Sequence, residues 1–230
     1  MNYISNAISN GSFSFFGILS YLLSTLAVIF ITMPIHEWAH GFVSTLLGDP
    51  TPRYQGRLTL NPMAHVDMMG AAGILLFGIG WAKPVQVNAR YYKNPKWGMV
   101  LVALAGPIAN LVLSFIAVVL LYLFSLFDFF TIDSISSFFV TVAYISTYLA
   151  VFNLIPIPPF DGSRILFAVL PQRHYFKIMQ YERYIFMGLM ALFLLDSRIG
   201  IISGTIGVLA QRLLNSIANL ALLIFRLFGV

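Results

Sequence analysis

Apolar residues run almost unbroken from residue 13 to residue 47, and no charged side chain appears before Glu37. About 20 such residues cross the hydrocarbon core of a bilayer, so the pattern predicts one long spanning helix. Gly48-Asp49-Pro50 supplies its stop, and Pro34 predicts a kink that opens a polar pocket near the end of the run. Gly56-Arg57-Leu58-Thr59-Leu60 then alternates and is cut by Asn61-Pro62, which predicts a short strand or hairpin arm. Residues 68–82 are apolar, glycine-rich and short, the pattern of a re-entrant segment. Spans follow at 98–127 and 135–155, separated by an acidic turn at 128–133. A proline-rich stretch from Pro156 leads into a short helix that reaches Leu170. A thin span at 184–195 and a last one at 199–225, interrupted by Arg212, complete the chain. The fold class expected is an all-α integral membrane protein. It is a polytopic helix bundle of about five spans, with a re-entrant segment and a short membrane-associated β element. Residues 1–230 read as one domain with no separate soluble part.

Composition agrees. Hydrophobic residues make up 59% and charged residues 9%, against roughly a quarter charged in a soluble domain. In such a chain a net charge of +5 points to loops facing anionic lipid and not to nucleic acid. Cysteine is absent, so neither a disulfide nor a thiolate metal ligand is available. The N-terminus lacks the basic start and small-residue cleavage site of a signal peptide, so the first apolar run is expected to be retained. The loop at 83–96 carries Lys83, Arg90, Lys93 and Lys96 without an acid, and Arg164, Arg173, Lys177 and Arg183 fall on the same side. The positive-inside rule makes that side cytoplasmic.

The chemistry concentrates where the first run ends, at His36-Glu37-Trp38-Ala39-His40. On a helix, residues four apart share a face one turn apart, so both imidazoles can converge on one cation. Two neutral imidazoles with an open position suit zinc, and the adjoining Glu37 suits a general base for hydrolysis. Three ionisable groups at membrane depth are expensive and usually functional. A catalytic zinc takes a third protein ligand. Asp49 lies nine residues past His40, about 13 Å along the axis, and Asp128 and Asp133 belong to the opposite membrane face. Asp161 follows a span that returns to the histidine side, in a segment stiffened by Pro156, Pro158 and Pro159. Its other reading is an N-cap for the helix beginning near Gly162.

The His36–His40 pattern, taken with Asn153-Leu154-Ile155-Pro156-Ile157-Pro158-Pro159-Phe160-Asp161-Gly162, resembles the paired signature of the site-2 protease family of intramembrane zinc metalloproteases. Gly56–Pro62, Gly80–Val85 and Ala105–Asn110 are similar to the compact bacterial and archaeal members. The resemblance runs from about residue 33 to about residue 183. It implies Zn2+ held by His36, His40 and Asp161, with Glu37 as catalytic base. It further implies a catalytic core at about 13–183, a prokaryotic cytoplasmic membrane, and a water-accessible cavity. The function it implies is hydrolysis of peptide bonds within or next to transmembrane segments.

Two residues keep two readings each. The Asn153 amide can hold substrate backbone or a developing oxyanion, or serve as a helix cap or helix–helix contact. His65 can assist the site or replace Asp161 as ligand, or be a local hydrogen-bonding residue. His174 is read as interfacial. The competing function is a metal-binding membrane transporter or channel, in which buried histidines and acids line an ion path. Glu37 separates the two, since proteolysis needs it free of the metal. The partners expected are a transmembrane protein substrate and the lipid bilayer. Arg57–Leu60 is expected to offer the substrate a strand edge.

Overall fold

A computed structural model describes residues 15–77, 80–126 and 133–227. Helix α1 (Phe15–Ala27) passes through a widened π turn, Val28–Thr32, directly into α2 (Met33–Leu46). Pro34 lies in the first turn of α2. A proline ring presses on the carbonyl four residues earlier, and the wider turn just before it relieves that pressure without breaking the helix. The expected kink is therefore a local widening, with Met33 N–H bonded to the Val28 carbonyl. The helix ends ahead of Gly48, whose φ of 100° favours glycine.

A short α3 (Thr51–Tyr54) follows. The strand expected at 56–60 is not formed, and among the described residues there is no strand at all. Local side-chain bonds take its place. Asn61 N–H donates to Thr59 Oγ1 at 3.1 Å, the Thr59 carbonyl pairs with His65 Nε2 at 2.8 Å, and the Arg57 guanidinium donates to the Ala64 carbonyl. Such side-chain to backbone bonds compete with a sheet ladder. The one β-type pairing described is an isolated antiparallel bridge between Val66 and Ala82. Beside it Lys83 N–H donates to the His65 carbonyl at 2.8 Å.

Helix α4 (Met68–Phe77) has 10 residues, about 15 Å, half of what a span requires. Gly70 packs directly on the Trp81 carbonyl and Gly80 on the Gly70 carbonyl, so a side chain at either position would separate α4 from the segment that returns past it. Residues 80–88 then run extended to a single helical turn at Ala89–Tyr91.

Asn94 caps α5 (Pro95–Ser125), 31 residues long. It packs against α6 (Asp133–Asn153), with Ser114 Oγ shared between the Ala143 carbonyl and Thr147 Oγ1. The acidic turn expected at 128–133 lies outside the described residues apart from Asp133, which opens α6. Helices α7 (Asp161–Val169) and α8 (Gln172–Met179) are short, and α9 (Glu182–Ile199) leads through Gly200 into α10 (Ile201–Leu227), which continues through Arg212 without interruption. A core of Ala27, Ala117, Val118, Val142, Ala143, Leu214 and Ala221 ties α1, α5, α6 and α10 together.

Among the described residues, four helical stretches are long and apolar enough to cross a membrane: Leu22–Leu46, Pro95–Ser125, Ser136–Asn153 and Ile202–Leu227. Helix α9, expected as a thin fifth span, carries Glu182, Arg183, Asp196 and Arg198 and is not among them. The protein is an all-α, multi-pass membrane protein.

Candidate active site

Three elements build the site. Helix α2 presents His36 and His40 one turn apart, and α7 delivers Asp161 at its first position. The two Nε2 atoms lie 3.1 Å apart. Asp161 Oδ2 lies 3.1 Å from His36 Nε2 and 3.2 Å from His40 Nε2. These are the only three His, Cys, Asp or Glu residues among those described whose ligand atoms cluster, all within 4.8 Å of one another.

The third element, α5, makes room. A Cβ built on Gly106 would sit 2.5 Å from His40 Nε2 and 2.6 Å from His36 Nε2, in the space the three donors share. The far sides of both rings are held by α5. His40 Nδ1 lies 2.7 Å from the Val102 carbonyl. A carbonyl only accepts, so Nδ1 carries the proton and Nε2 presents a lone pair to the cluster. Asn110, fully buried, lies 3.1 Å from His36 Nδ1. Its amide nitrogen faces the ring and its oxygen has no partner. Turning the amide over lets that oxygen accept from Nδ1–H and frees His36 Nε2 in the same way. Two Nε2 lone pairs, one carboxylate oxygen and a cradle kept open by glycine fit a zinc ion.

Asp161 is not a cap. The N-cap of α7 is Phe160, without a side-chain bond to the helix amides. Gly162 has no space for a side chain because it packs on the Leu154 carbonyl, which draws the start of α7 against the end of α6. Glu37 stands apart from the three donors. Its Oε2 accepts the Val85 N–H at 2.9 Å.

All four residues line one cavity of ≈ 240 Å³. Its walls include Trp81, Val85, Phe152, Asn153, Arg164 and Phe186. Asn153 therefore reaches the site, although its Nδ2 donates to the Leu149 carbonyl of its own helix at 2.9 Å. His65 does not belong to the cavity wall or to the metal-ligand cluster. It is buried, with Nε2 on the Thr59 carbonyl. Residues 57–60 are also absent from the cavity wall, which is lined instead by the extended stretch from Gly80 to Val87.

Asp49, set aside as a ligand on distance, has a structural role. It is fully buried, and it accepts bonds from Ser44 Oγ at 2.7 Å, Thr51 N–H at 2.9 Å and Asn88 N–H at 2.7 Å. Burial alone would raise its pKa, but these hydrogen bonds outweigh it and hold the carboxyl below its ordinary value. The carboxylate thus ties the end of α2 to the stretch that carries Val85.

Sequence reading gave no individual site role to Asn110, Gly106, Val85 or Arg164. A signal existed for the first two: Gly106 and Asn110 are four apart and share one face of α5, a gap and a polar group side by side.

The sequence profile described as peptidase family M50 matches residues 24–131 and 127–196. A protein named "Putative zinc metalloprotease YwhC" from Bacillus subtilis is 41% identical over 180 residues, covering 76% of this chain and 81% of the relative. A protein with the same description, Rip2 of Mycolicibacterium smegmatis, is 33% identical over 63% of this chain and 57% of its own length. Another, MJ0611 of Methanocaldococcus jannaschii, is 30% identical over 67% of this chain and 74% of its own length. No solved structure gives a significant match. The chain belongs to peptidase family M50, the site-2 protease family, and is a membrane metalloprotease whose metal is zinc.

Proposed function

We propose that this protein is an intramembrane endopeptidase that cuts peptide bonds within or next to transmembrane segments of membrane proteins, as in regulated intramembrane proteolysis. One observation carries the reading. Two imidazole nitrogens and a carboxylate converge in a cavity inside a membrane helix bundle, with a second carboxylate, Glu37, beside them but outside the ligand set. His36, His40 and Asp161 would hold the zinc, in a single transmembrane domain whose catalytic core runs from about residue 13 to about residue 183. Zinc bound there supplies a Lewis acid that polarises a peptide carbonyl and makes water a nucleophile near neutral pH.

The chain's own groups do the rest. Glu37 takes the proton of the attacking water and hands it to the leaving amine. The Val85 N–H fixes the Glu37 carboxylate through Oε2 and leaves Oε1 for that proton. The Asn153 amide and the Arg164 guanidinium are the polar groups of the wall suited to hold substrate carbonyl oxygen. A helical substrate has its carbonyls tied up in helix bonds and must unwind first. An unwound segment lies along the extended wall from Ala82 to Val87, and not along residues 57–60, which stay away from the cavity. The basic loop at 83–96 supports a cavity toward the cytoplasmic side of a prokaryotic cytoplasmic membrane.

The transporter alternative needs Glu37 as a ligand or in a proton relay. Its bond to a backbone amide, apart from the donor cluster, favours the base. The test is cleavage of a single-span peptide in proteoliposomes, read by mass spectrometry. Wild-type protein should cut it, and Glu37→Gln should keep its zinc and lose at least about a hundredfold in rate, the scale of general-base catalysis. Equal cleavage by both would remove Glu37 from the mechanism.

A further inference from the structure

Helix α10 turns two different faces to its surroundings. Its inner face, with Ala210, Leu214, Ile217, Ala218 and Ala221, packs into the bundle. Its outer face carries Gln211, Arg212, Asn215, Ser216 and Asn219, all exposed. This polar stripe lies in the middle of a helix apolar enough to span. The ring of Phe225 meets Tyr122 near the end of α5, which sets the two helix ends level. Arg212 then lies about 16 Å from Ile201 and about 21 Å from Arg226, too far from either end for its side chain to reach water. A guanidinium in that position facing lipid is strongly unfavourable, whereas its polar neighbours are partly satisfied within the helix: Gln211 Nε2 donates to Asn215 Oδ1 at 3.0 Å and Ser216 Oγ donates to the Arg212 carbonyl at 3.1 Å.

Among the described residues no acid is placed to pair with Arg212. Of the chain's eight acidic residues, Glu37 and Asp161 lie in the zinc cavity, while Asp49 and Asp67 bind backbone amides near the ends of α2 and α4. Asp196 accepts the amides of Ile202 and Ser203 at the start of α10. Glu182 opens α9, Asp133 opens α6, and Asp128 lies outside the described residues. Residues 1–14 contain no acid. Among the described residues no carboxylate forms an ion pair with Arg212. A second copy would not supply one either, because copies inserted the same way bring Arg212 level with Arg212.

We propose that the outer face of α10 binds a transmembrane helix of a different protein, one that carries an acidic side chain at mid-depth to pair with Arg212. The Gln211–Asn215 amide pair, Ser216 and Asn219 flank that pair on one helix face, and their remaining donors and acceptors add hydrogen bonds to the partner. None of the α10 residues lines the zinc cavity, so the surface is separate from the site of cleavage and independent of that reading.

The probe is a synthetic single-span helix of leucine and alanine with one central Asp, fluorescently labelled, in phosphatidylcholine vesicles. The acceptor dye sits on a cysteine introduced at the exposed Gln180 of otherwise cysteine-free protein, with Glu37→Gln throughout to keep the probe intact. Energy transfer should show the Asp probe binding about tenfold more tightly than the same helix with Leu in place of Asp. Arg212→Leu, with zinc content unchanged, should abolish the difference, and Arg212→Glu should move the preference to a probe with a central Lys. Equal binding of Asp and Leu probes overturns the proposal. So does energy transfer between labelled copies of the protein that is lost in Arg212→Leu, which would make the face a self-association surface.

Discussion

At the scale of single residues the proposed zinc site depends on groups outside its ligand set. Gly106 keeps the space between the imidazoles open, so Gly106→Ala should place a methyl among the donors and remove zinc while the helices persist. Elemental analysis of the purified variant, with circular dichroism as the control, checks this; full zinc occupancy would mean that the donors meet elsewhere. Asn110→Leu keeps the volume but leaves His36 Nδ1 without its partner. Loss of such an outer partner typically weakens metal binding about 10- to 100-fold, and competition with a chelator of known affinity measures it. Unchanged affinity would show that the Asn110 amide does not set the tautomer. His36, Glu37 and His40 were legible in the sequence because a helix turns spacing into direction. Asp161 was legible because two spans between residues 98 and 155 return the chain to the histidine side. Gly106, Asn110 and Val85 act across helices, and no spacing within one segment records which face of a neighbour it will meet.

At the scale of elements, alternation at 56–60 suggested a strand, yet Arg57, Thr59, Asn61 and His65 bond to nearby backbone and hold bends instead. Alternation records only which side chains are apolar; it does not record whether a partner strand exists, and here none of the described residues supplies one. The extended stretch 80–88 has little pattern of its own and owes its place to anchors from outside. Asp49 is one of them through Asn88, three residues from the Val85 amide that holds Glu37. The folded pKa of Asp49 is depressed, so its contribution is complete above its unfolded value of about 4 and is lost as pH falls through the lower folded value. Asp49→Asn removes the charge at every pH. Thermal unfolding should therefore show wild type more stable than Asp49→Asn at pH 7, with the gap closing below about pH 4. A gap that does not change with pH would show that the Asp49 charge contributes nothing.

At the scale of the whole molecule, topology and chemistry constrain each other. The basic loop at 83–96 and the cavity wall at Gly80–Val87 are one continuous segment, so the side on which Lys83, Arg90, Lys93 and Lys96 lie is the side nearer the cavity. Cysteine in place of the exposed Lys93 should resist a membrane-impermeant thiol reagent in intact cells and react after permeabilisation; labelling in intact cells would invert the bundle. The helix bundle itself was legible from hydropathy. The span count was not, because α9 mixes apolar residues with four charges and hydropathy alone does not show whether such a helix crosses or lines the bundle. What unites the scales is the proposal that one zinc ion, held by His36, His40 and Asp161, makes this bundle a hydrolase. The most direct test is a titration. Protein stripped of metal by a chelator is returned to vesicles with a single-span peptide, and the cleavage rate is followed as zinc is added. The rate should rise from zero and level off at one equivalent for wild type, and stay at zero for Asp161→Asn at the same additions. Cleavage by stripped protein, or a wild-type curve in Asp161→Asn, would contradict it.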